Sequence, residues 1–422
     1  MKTRLLVVLL LASLCAPLHI ACGQAVAPST VTGAKPKASI EPGPRPADAP
    51  EEWKRHVGIY EYTSYQPPKT TVILFERDQR LLMKYESGKQ EQVSLENGDL
   101  AVHEPGGRDW IYSLDQEPGE PEVFSYLNEG FRRIDAGSDP SHFYHITVSK
   151  PIAELRAAAL AAKPPVESQH FRKSDLVELV TLEPTLRLDI RYAQSNNFLS
   201  TPVYTQARAF MQRPAAEALV RVSHKLPPLG YGLLIHDAYR PWYVTKMFWD
   251  ATPPEGKQFV ADPAKGSKHN RGCAVDLTLY DLATGKPLEM PGLYDEMSPR
   301  SYPTFPGGTS LQRWNRDLLR RAMESEGFTV NEREWWHFDY RDWKDYKIMN
   351  VPFEDLGTAG EKGAPVKGVT YSISMRQMPV FCRIRSAGLA IRNRQVCFGD
   401  ATKSVVSRSQ EESVAIRAPV RS

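Results

Sequence analysis

Three candidate metal ligands in separate segments restrict the fold of this 422-residue chain more than any other feature. Residues 267–276 contain the pattern SxHxxGxAxD, and residues 334–337 contain ExxH. Two neutral imidazoles and one carboxylate suit a catalytic Zn²⁺ whose fourth position stays open. The fold must therefore bring His269, Asp276 and His337 together, and we expect one Zn²⁺ per chain at that point.

The spacing of these residues predicts how each one reaches the site. His269 and Asp276 differ by 276 − 269 = 7 positions, and an odd separation on a straight strand points two side chains to opposite faces. Gly272 lets the chain bend between them, so we expect His269 on a loop and Asp276 on a strand. Glu334 lies three positions before His337, near enough to share the site but free to act as a base.

The composition is that of an ordinary globular protein and does not point to nucleic acid or an acidic surface as a partner. The chain has 53 basic and 50 acidic residues, with a formal net charge of +3, which gives no basis for a nucleic-acid partner. Hydrophobic residues make up 41% and charged residues 24%, as in ordinary soluble domains. The length allows two or three domains, and the oligomeric state stays unknown.

Residues 1–22 have the layout of a secretory signal peptide. A short basic region, Met1–Arg4, precedes the mostly apolar run Leu5–Leu14,. Residues 20–23, IACG, resemble a bacterial lipobox, which predicts that Cys22 is lipidated. Ordinary cleavage near residue 27 is the alternative. We expect an exported protein of the periplasm or cell envelope, held to the outer or cytoplasmic membrane by a lipid anchor.

Composition and periodicity divide the rest of the chain into further segments. Residues 23–50 are rich in Pro, Ala and Gly, which predicts a flexible linker,. Residues 51–140 contain short apolar runs between turn signals, which predict a small antiparallel sheet or barrel,. This β-rich unit has no catalytic constellation, so we expect a structural or dimerising module. Residues 141–167 are expected to be a helical joint, and the Arg- and Ser-rich residues 358–422 a disordered tail,.

Residues 168–357 mix strand and helix patterns without a regular βαβ repeat, which favours the α+β class,. The apolar run Gly232–His236 predicts a buried strand. Residues 237–241, DAYRP, follow directly at its end. A helix capped by Thr309 is expected to end near Gly327,.

This region resembles the zinc D-alanyl-D-alanine dipeptidases of the vancomycin-resistance type, which share a hedgehog-like fold with zinc D,D-carboxypeptidases. Besides the ligand patterns, the resemblance rests on residues 237–241, residues 191–193 (RYA) with 197–198 (NF), and the two tryptophans before His337. It implies an α+β, hedgehog/D,D-peptidase-like zinc catalytic domain, here preceded by the small all-β, barrel-like domain.

The resemblance also implies roles for individual residues. Zn²⁺ would bind the three ligands named above, Glu334 would be the catalytic base, and Arg240 would stabilise the oxyanion. A salt bridge that holds its own loop is the alternative for Arg240. Ser267 and Tyr192 match substrate-contacting residues, and Asp295 matches the aspartate that faces the substrate amine, with loop capping as its alternative.

The leading hypothesis is zinc-dependent hydrolysis of the D-alanyl-D-alanine dipeptide to two D-alanine molecules, linked to peptidoglycan metabolism. The substrate is then a small D,D-dipeptide. One alternative is a zinc D,D-carboxypeptidase that trims peptidoglycan stem peptides. A non-catalytic protein that binds the cell wall is a further alternative, disfavoured because ligands, base and arginine occur together.

Overall fold

The computed structural model describes residues 39–357, apart from 64–69, 104–105, 108, 116–119, 128, 136–142 and 149. The predictions for the signal peptide with Cys22, for the first part of the linker and for the tail lie outside these residues. Among the helices in the described ranges, none is both long and apolar enough to cross a lipid bilayer.

A short helix, α1 (Glu51–His56), leads into eight antiparallel strands that form a closed barrel. The strands are β1 (Gly58–Thr63), β2 (Thr71–Arg77), β3 (Arg80–Tyr85), β4 (Gln90–Glu96), β5 (Asp99–His103), β6 (Asp109–Asp115), β7 (Val123–Tyr126) and β8 (Glu129–Arg133). The first strand pairs with both the second and the eighth, which closes the barrel. Its interior is filled by apolar side chains, among them Leu74, Leu100 and Phe124. The predicted β-rich, barrel-like unit is thus confirmed.

The second unit is built on a five-stranded mixed sheet and several helices. Its elements are α2 (Ile152–Ala161), β9 (Leu176–Glu178), α3 (Leu179–Leu182), β10 (Arg187–Leu188), β11 (Phe210–Gln212), α4 (Arg213–Ser223), β12 (Tyr231–Asp237), α5 (Trp242–Ala251), β13 (Ala274–Asp281), α6 (Ser310–Glu324), β14 (Phe328–Asn331) and β15 (Glu334–Tyr340). The sheet order is β10-β12-β13-β15-β14, and only the pair β10–β12 is parallel. β9 and β11 form a separate antiparallel pair.

The central strands β12 and β13 are buried at almost every position. A strand that is covered on both faces has apolar residues at consecutive positions. This accounts for the apolar run at residues 232–236 from which a buried strand was predicted. α6 packs against β13, β14 and β15. It begins where Thr309 accepts a hydrogen bond from the Gln312 amide, while the Gln312 side chain accepts one from the Thr309 amide, a capping box that satisfies two free donors.

Two segments outside the sheet are fixed against this unit. The Trp314 indole donates to the Gly43 carbonyl at 3.0 Å, and Arg45 donates to the Tyr231 hydroxyl at 3.1 Å. Residues 39–50, the last part of the segment assigned to a linker, therefore lie against the second unit. α2, from the segment assigned to a joint, buries Leu155 and Ala159 in the core of the same unit.

Candidate active site

Three elements bring the candidate ligands together. Asp276 on β13 pairs directly with His337 on β15, so the two side chains project from the same face of the sheet,. His269 lies in a 3₁₀ turn that ends at Gly272, where φ is +69° and an added Cβ would lie 2.5 Å from Leu176 Cδ2. Glycine is strongly favoured at such a position, because it has no Cβ and adopts a positive φ without strain. This turn removes the conflict caused by the odd spacing of His269 and Asp276.

The three inward-facing atoms form a compact triangle. Asp276 Oδ1 lies 3.2 Å from His269 Nε2 and 3.0 Å from His337 Nδ1, and the two nitrogens are 3.0 Å apart. Tetrahedral Zn²⁺ with bonds of about 2.0–2.1 Å would separate its ligands by about 3.3 Å. All three side chains are buried, so the residues have the arrangement that a divalent cation needs.

The outer hydrogen bonds of both histidines direct a lone pair into this triangle. His269 Nδ1 donates to the Ala238 carbonyl at 2.6 Å, and His337 Nε2 donates to Asp339 Oδ1 at 2.8 Å. Each ring thus keeps its inner nitrogen unprotonated when neutral. With both rings neutral, three electron-rich atoms lie at hydrogen-bonding distance without a proton between them, and they would repel one another. A cation among them removes that repulsion.

The surroundings of Asp276 also indicate a metal-binding site. Its Oδ2 accepts a hydrogen bond from the Tyr294 hydroxyl at 3.1 Å. Its Oδ1 is buried, and the nearest polar atoms are the inner nitrogens of the two histidines, which have no proton to donate when both rings are neutral. A buried oxygen without a hydrogen bond is costly. Coordination of a metal ion by this oxygen would account for its position. The His-Asp-His group therefore fits a metal ion.

Asp339, the hydrogen-bond partner of His337, was not among the predicted site residues. Burial disfavours a charge on His337, but Asp339 and Asp276 outweigh that effect and raise its pKa to about 10. The site thus attracts a positive charge. The signal was available in the sequence, because Asp339 is two positions after His337 and alternate residues of a strand share a face.

Glu334 enters the same cleft from the start of β15. Its Oε2 lies 3.5 Å from His337 Nδ1 and accepts a hydrogen bond from Asn331 at 3.1 Å. The pairing of β14 with β15 is irregular between Val330 and Asn331, which allows Glu334 and His337 to face one site despite their odd spacing. Burial, together with the negative charge of Asp276, raises the pKa of Glu334 to about 7. That pKa suits a carboxyl group that exchanges protons near neutral pH.

Arg240 follows the end of β12 and lies over the cleft. Its Nε and Nη2 donate to Asp237 Oδ2 at 2.9 and 2.8 Å, and the Tyr204 hydroxyl donates to Asp237 Oδ1 at 2.7 Å. The guanidinium carbon lies 5.2 Å from the ring centre of Tyr192 and 4.8 Å from that of Phe248. The salt bridge considered for Arg240 is present, and the residue also lines the cleft. Asp237 and Tyr204 were not identified as site residues from the sequence.

The three predicted substrate contacts lie in the same cleft, which has a volume of about 570 Å³. The Tyr192 hydroxyl lies 3.0 Å from both carboxylate oxygens of Asp295. Burial, reinforced by the charge of Asp276, raises the pKa of Asp295 well above its ordinary value. Ser267 Oγ accepts a hydrogen bond from the His269 amide at 3.2 Å, so Ser267 also supports the ligand turn.

Two histidines and one carboxylate that converge on one face of the sheet, beside an open cleft, form the donor set of a catalytic metal site,. The sequence matches the family described as D-ala-D-ala dipeptidase over residues 172–355. The chain belongs to this family of peptidases, as the resemblance in its motifs predicted. The barrel lies outside the matched residues.

Curated relatives cover the same part of the chain. The D-alanyl-D-alanine dipeptidase of Escherichia coli (strain K12) is 36% identical over 180 residues, which are 43% of this chain and 92% of that enzyme. The enzyme of the same name from Enterococcus faecalis is 35% identical over 191 residues, 40% of this chain and 89% of the relative. The one from Streptomyces coelicolor is 33% identical over 175 residues, 37% of this chain and 87% of the relative.

Proposed function

We propose that the protein is a zinc-dependent dipeptidase that hydrolyses D-alanyl-D-alanine to two D-alanine molecules. The observation that carries this proposal is the buried ligand triangle of His269, Asp276 and His337 with Glu334 beside it, in a chain of the D-ala-D-ala dipeptidase family. The link to peptidoglycan metabolism follows from the substrate. We place the second unit in the α+β class with a hedgehog-like fold.

One Zn²⁺ per chain would be held by His269, Asp276 and His337. When bound, it would lower the pKa of a coordinated water to about 7 and polarise the scissile carbonyl. The nitrogen and oxygen donors of this site suit Zn²⁺ better than a hard cation such as Mg²⁺ or Ca²⁺, which prefers oxygen ligands.

Glu334 is the proposed general base. Its carboxylate lies next to the inner nitrogen of His337, so it can accept a proton from an attacking water and give that proton to the leaving amine,. Its hydrogen bond from Asn331 leaves the other carboxylate oxygen available for this transfer.

Arg240 is proposed to stabilise the oxyanion that forms at the scissile carbonyl. The Asp237 carboxylate and the rings of Tyr192 and Phe248 fix its guanidinium, so little reorganisation is needed when negative charge develops,. Arginine stays charged at all accessible pH values and offers paired donors to such an oxygen.

Asp295, with Tyr192 beside it, is proposed to bind the substrate ammonium, and Ser267 is proposed to contact the substrate as well. A buried carboxyl group with a strongly raised pKa ionises readily only when a cation pairs with it,. A free dipeptide supplies that cation, whereas an acylated peptide does not. This difference favours the dipeptidase over the D,D-carboxypeptidase and over a non-catalytic wall-binding protein.

Amino-acid analysis after incubation with D-alanyl-D-alanine and, separately, with an N-acylated D-alanyl-D-alanine tests the function. We expect zinc-dependent release of D-alanine from the free dipeptide and little from the acylated one. Efficient cleavage of the acylated peptide alone would support the carboxypeptidase instead, and no cleavage of either would support a binding protein.

The location of the enzyme is also a proposal. The N-terminal layout and the lipobox-like residues that end at Cys22 support export and a lipid anchor in the cell envelope,.

A further inference from the structure

Asp295 projects into the cleft from a turn whose shape depends on the next residue, Glu296. Asp295 has a φ of +60°, a conformation that is uncommon for residues other than glycine, although aspartate tolerates it better than most. The Glu296 carboxylate accepts the Leu293 amide at 2.9 Å and the Ser298 hydroxyl at 2.7 Å. The Glu296 side chain thus closes the turn that presents Asp295.

Glu296 is connected to the barrel through two buried charges. Arg300 Nε lies 3.4 Å from Glu296 Oε1, and its Nη1 pairs with Oδ1 of Asp135, which follows the last barrel strand. The side chains of Arg300 and Asp135 are each 1% exposed. Asp135 also accepts a hydrogen bond from Arg133 Nε at 3.1 Å. Charges so deeply buried need partners of opposite sign, and Arg300 has such partners in Glu296 and Asp135.

The barrel also contacts the start of α6, which follows Arg300 in the chain. Glu76 of β2 accepts the amide of Ser310, the first residue of α6, at 2.6 Å, and Arg313 donates to the Glu76 carbonyl at 2.8 Å. Between the two contacts, an added Cβ at Gly307 would lie 2.9 Å from Ile73 Cγ2 of the barrel. The barrel is therefore in close contact with the segment that follows Asp295.

We propose that the barrel is a positioning element for substrate binding, in which Asp135 acts through Arg300 and Glu296 to hold the turn that presents Asp295. The role of Asp295 in substrate binding rests on the proposed function. The barrel lies outside the residues matched to the family, so this support belongs to the architecture of this chain. The barrel would thus have a role in substrate binding, although we find no catalytic group among its described residues.

Kinetics of Asp135→Asn in the full chain test the proposal, with Asp109→Asn as the matched control. Asp109 is a barrel aspartate whose side chain is 57% exposed and pairs with His103. We expect Asp135→Asn to raise KM for D-alanyl-D-alanine roughly tenfold, the size of one charge-assisted hydrogen bond. Zinc content and kcat should stay close to those of the wild type, and Asp109→Asn should change none of these values.

A double-mutant cycle separates positioning from general damage to the fold. In an Asp295→Asn background, Asp135→Asn should add little to KM, because the group through which it acts is already removed. Independent effects that multiply would contradict the proposal. If Asp135→Asn does not fold, Arg300→Lys takes its place, since it keeps the charge but loses the planar fork.

Hydrogen exchange provides a readout that does not depend on turnover. The Leu293 amide should exchange faster in Asp135→Asn than in the wild type or in Asp109→Asn, because its acceptor Glu296 is held less firmly. Unchanged exchange would overturn the proposal even if the enzyme is active. Faster exchange in a protein that does not cleave the dipeptide would instead leave the coupling in place and reject the proposed function.

Discussion

His337 Nε2 lies 2.8 Å from Oδ1 of Asp339, two residues further along the same strand. Lys268 contacts the other carboxylate oxygen of Asp339 at 3.1 Å. The carboxylate therefore fixes both the orientation and the tautomer of a proposed metal ligand, and Lys268 fixes the carboxylate. Such outer partners increase the basicity of the histidine and the affinity of the site.

Asp339→Asn should weaken zinc binding by about 10–100-fold, the usual effect of removing such a partner. Competition with a chelator measures the change. Asp342→Asn is the matched control. Asp342 is a nearby aspartate that pairs with Arg172, at 3.6 Å, instead of with a proposed metal ligand. Equal zinc affinity in the two variants would show that Asp339 does not support the site.

Purified protein should contain one zinc per chain, and His337→Ala should contain far less. The alanine variant keeps only two of the three converging donors, and two ligands bind Zn²⁺ much more weakly than three. Elemental analysis of both proteins, with circular dichroism as a check on folding, gives the result. A metal-free wild type, or a variant with full zinc content, would reject the ligand set.

Cys22→Ala should release the protein from the membrane fraction or block its maturation. The reason is chemical, since only the cysteine thiol can carry the lipid, and a single residue then decides between anchored and soluble forms. Fractionation of cells that express each form, with Cys15→Ala as the control, checks this. A wild type found in the soluble periplasmic or secreted fraction would support ordinary signal-peptide cleavage instead.

The sequence alone identified the residues that approach the site along short, regular stretches. Asp276 and His337 were recognisable because their motifs are specific, and the need for a turn at Gly272 followed from strand geometry. The barrel was predictable from the spacing of short apolar runs. In each case the information is local, because strand alternation and turn preferences act over a few residues.

Partners that meet only through tertiary packing were not predictable in this way. Tyr204 and Asp237 are 33 residues apart, yet their hydrogen bond holds the carboxylate that pairs with Arg240. Asp135 and Arg300 come from different units, and neither belongs to a recognisable motif. Sequence spacing carries no signal for such pairs, since their contact depends on how whole elements pack together.

Asp237→Asn should reduce kcat more than it changes zinc content or KM. The amide keeps the shape of the side chain but removes the charge that holds the Arg240 guanidinium, so the oxyanion would be stabilised less well,. Arg240→Ala should show a larger loss, of about 100- to 1,000-fold in kcat, the usual cost of one oxyanion donor. Steady-state kinetics on zinc-loaded protein measures both, and an Arg240→Ala enzyme with normal kcat would leave the arginine with a structural role only.

Glu334→Ala should fold and keep its zinc, because all three proposed ligands remain. It should lose hydrolysis by about two to four orders of magnitude, the usual contribution of a positioned acid–base group. Glu334→Gln is the matched control, since it preserves size and the contact with Asn331 but cannot accept a proton. Similar losses in both variants would assign the effect to proton transfer, and normal turnover in either would remove Glu334 from the mechanism.

The pH profile of the wild type provides an independent test of the same residue. Burial, with the charge of Asp276, raises the pKa of Glu334 to about 7, and a bound cation would stabilise the carboxylate and lower this value. A base works only when deprotonated, so kcat/KM should fall as the pH drops through a pKa at or below about 7. Within the pH range in which the protein keeps its zinc, the residual activity of Glu334→Gln should not fall in this way as the pH drops. An unchanged acidic limb in that variant would show that another group, such as a ligand losing its metal, controls the profile.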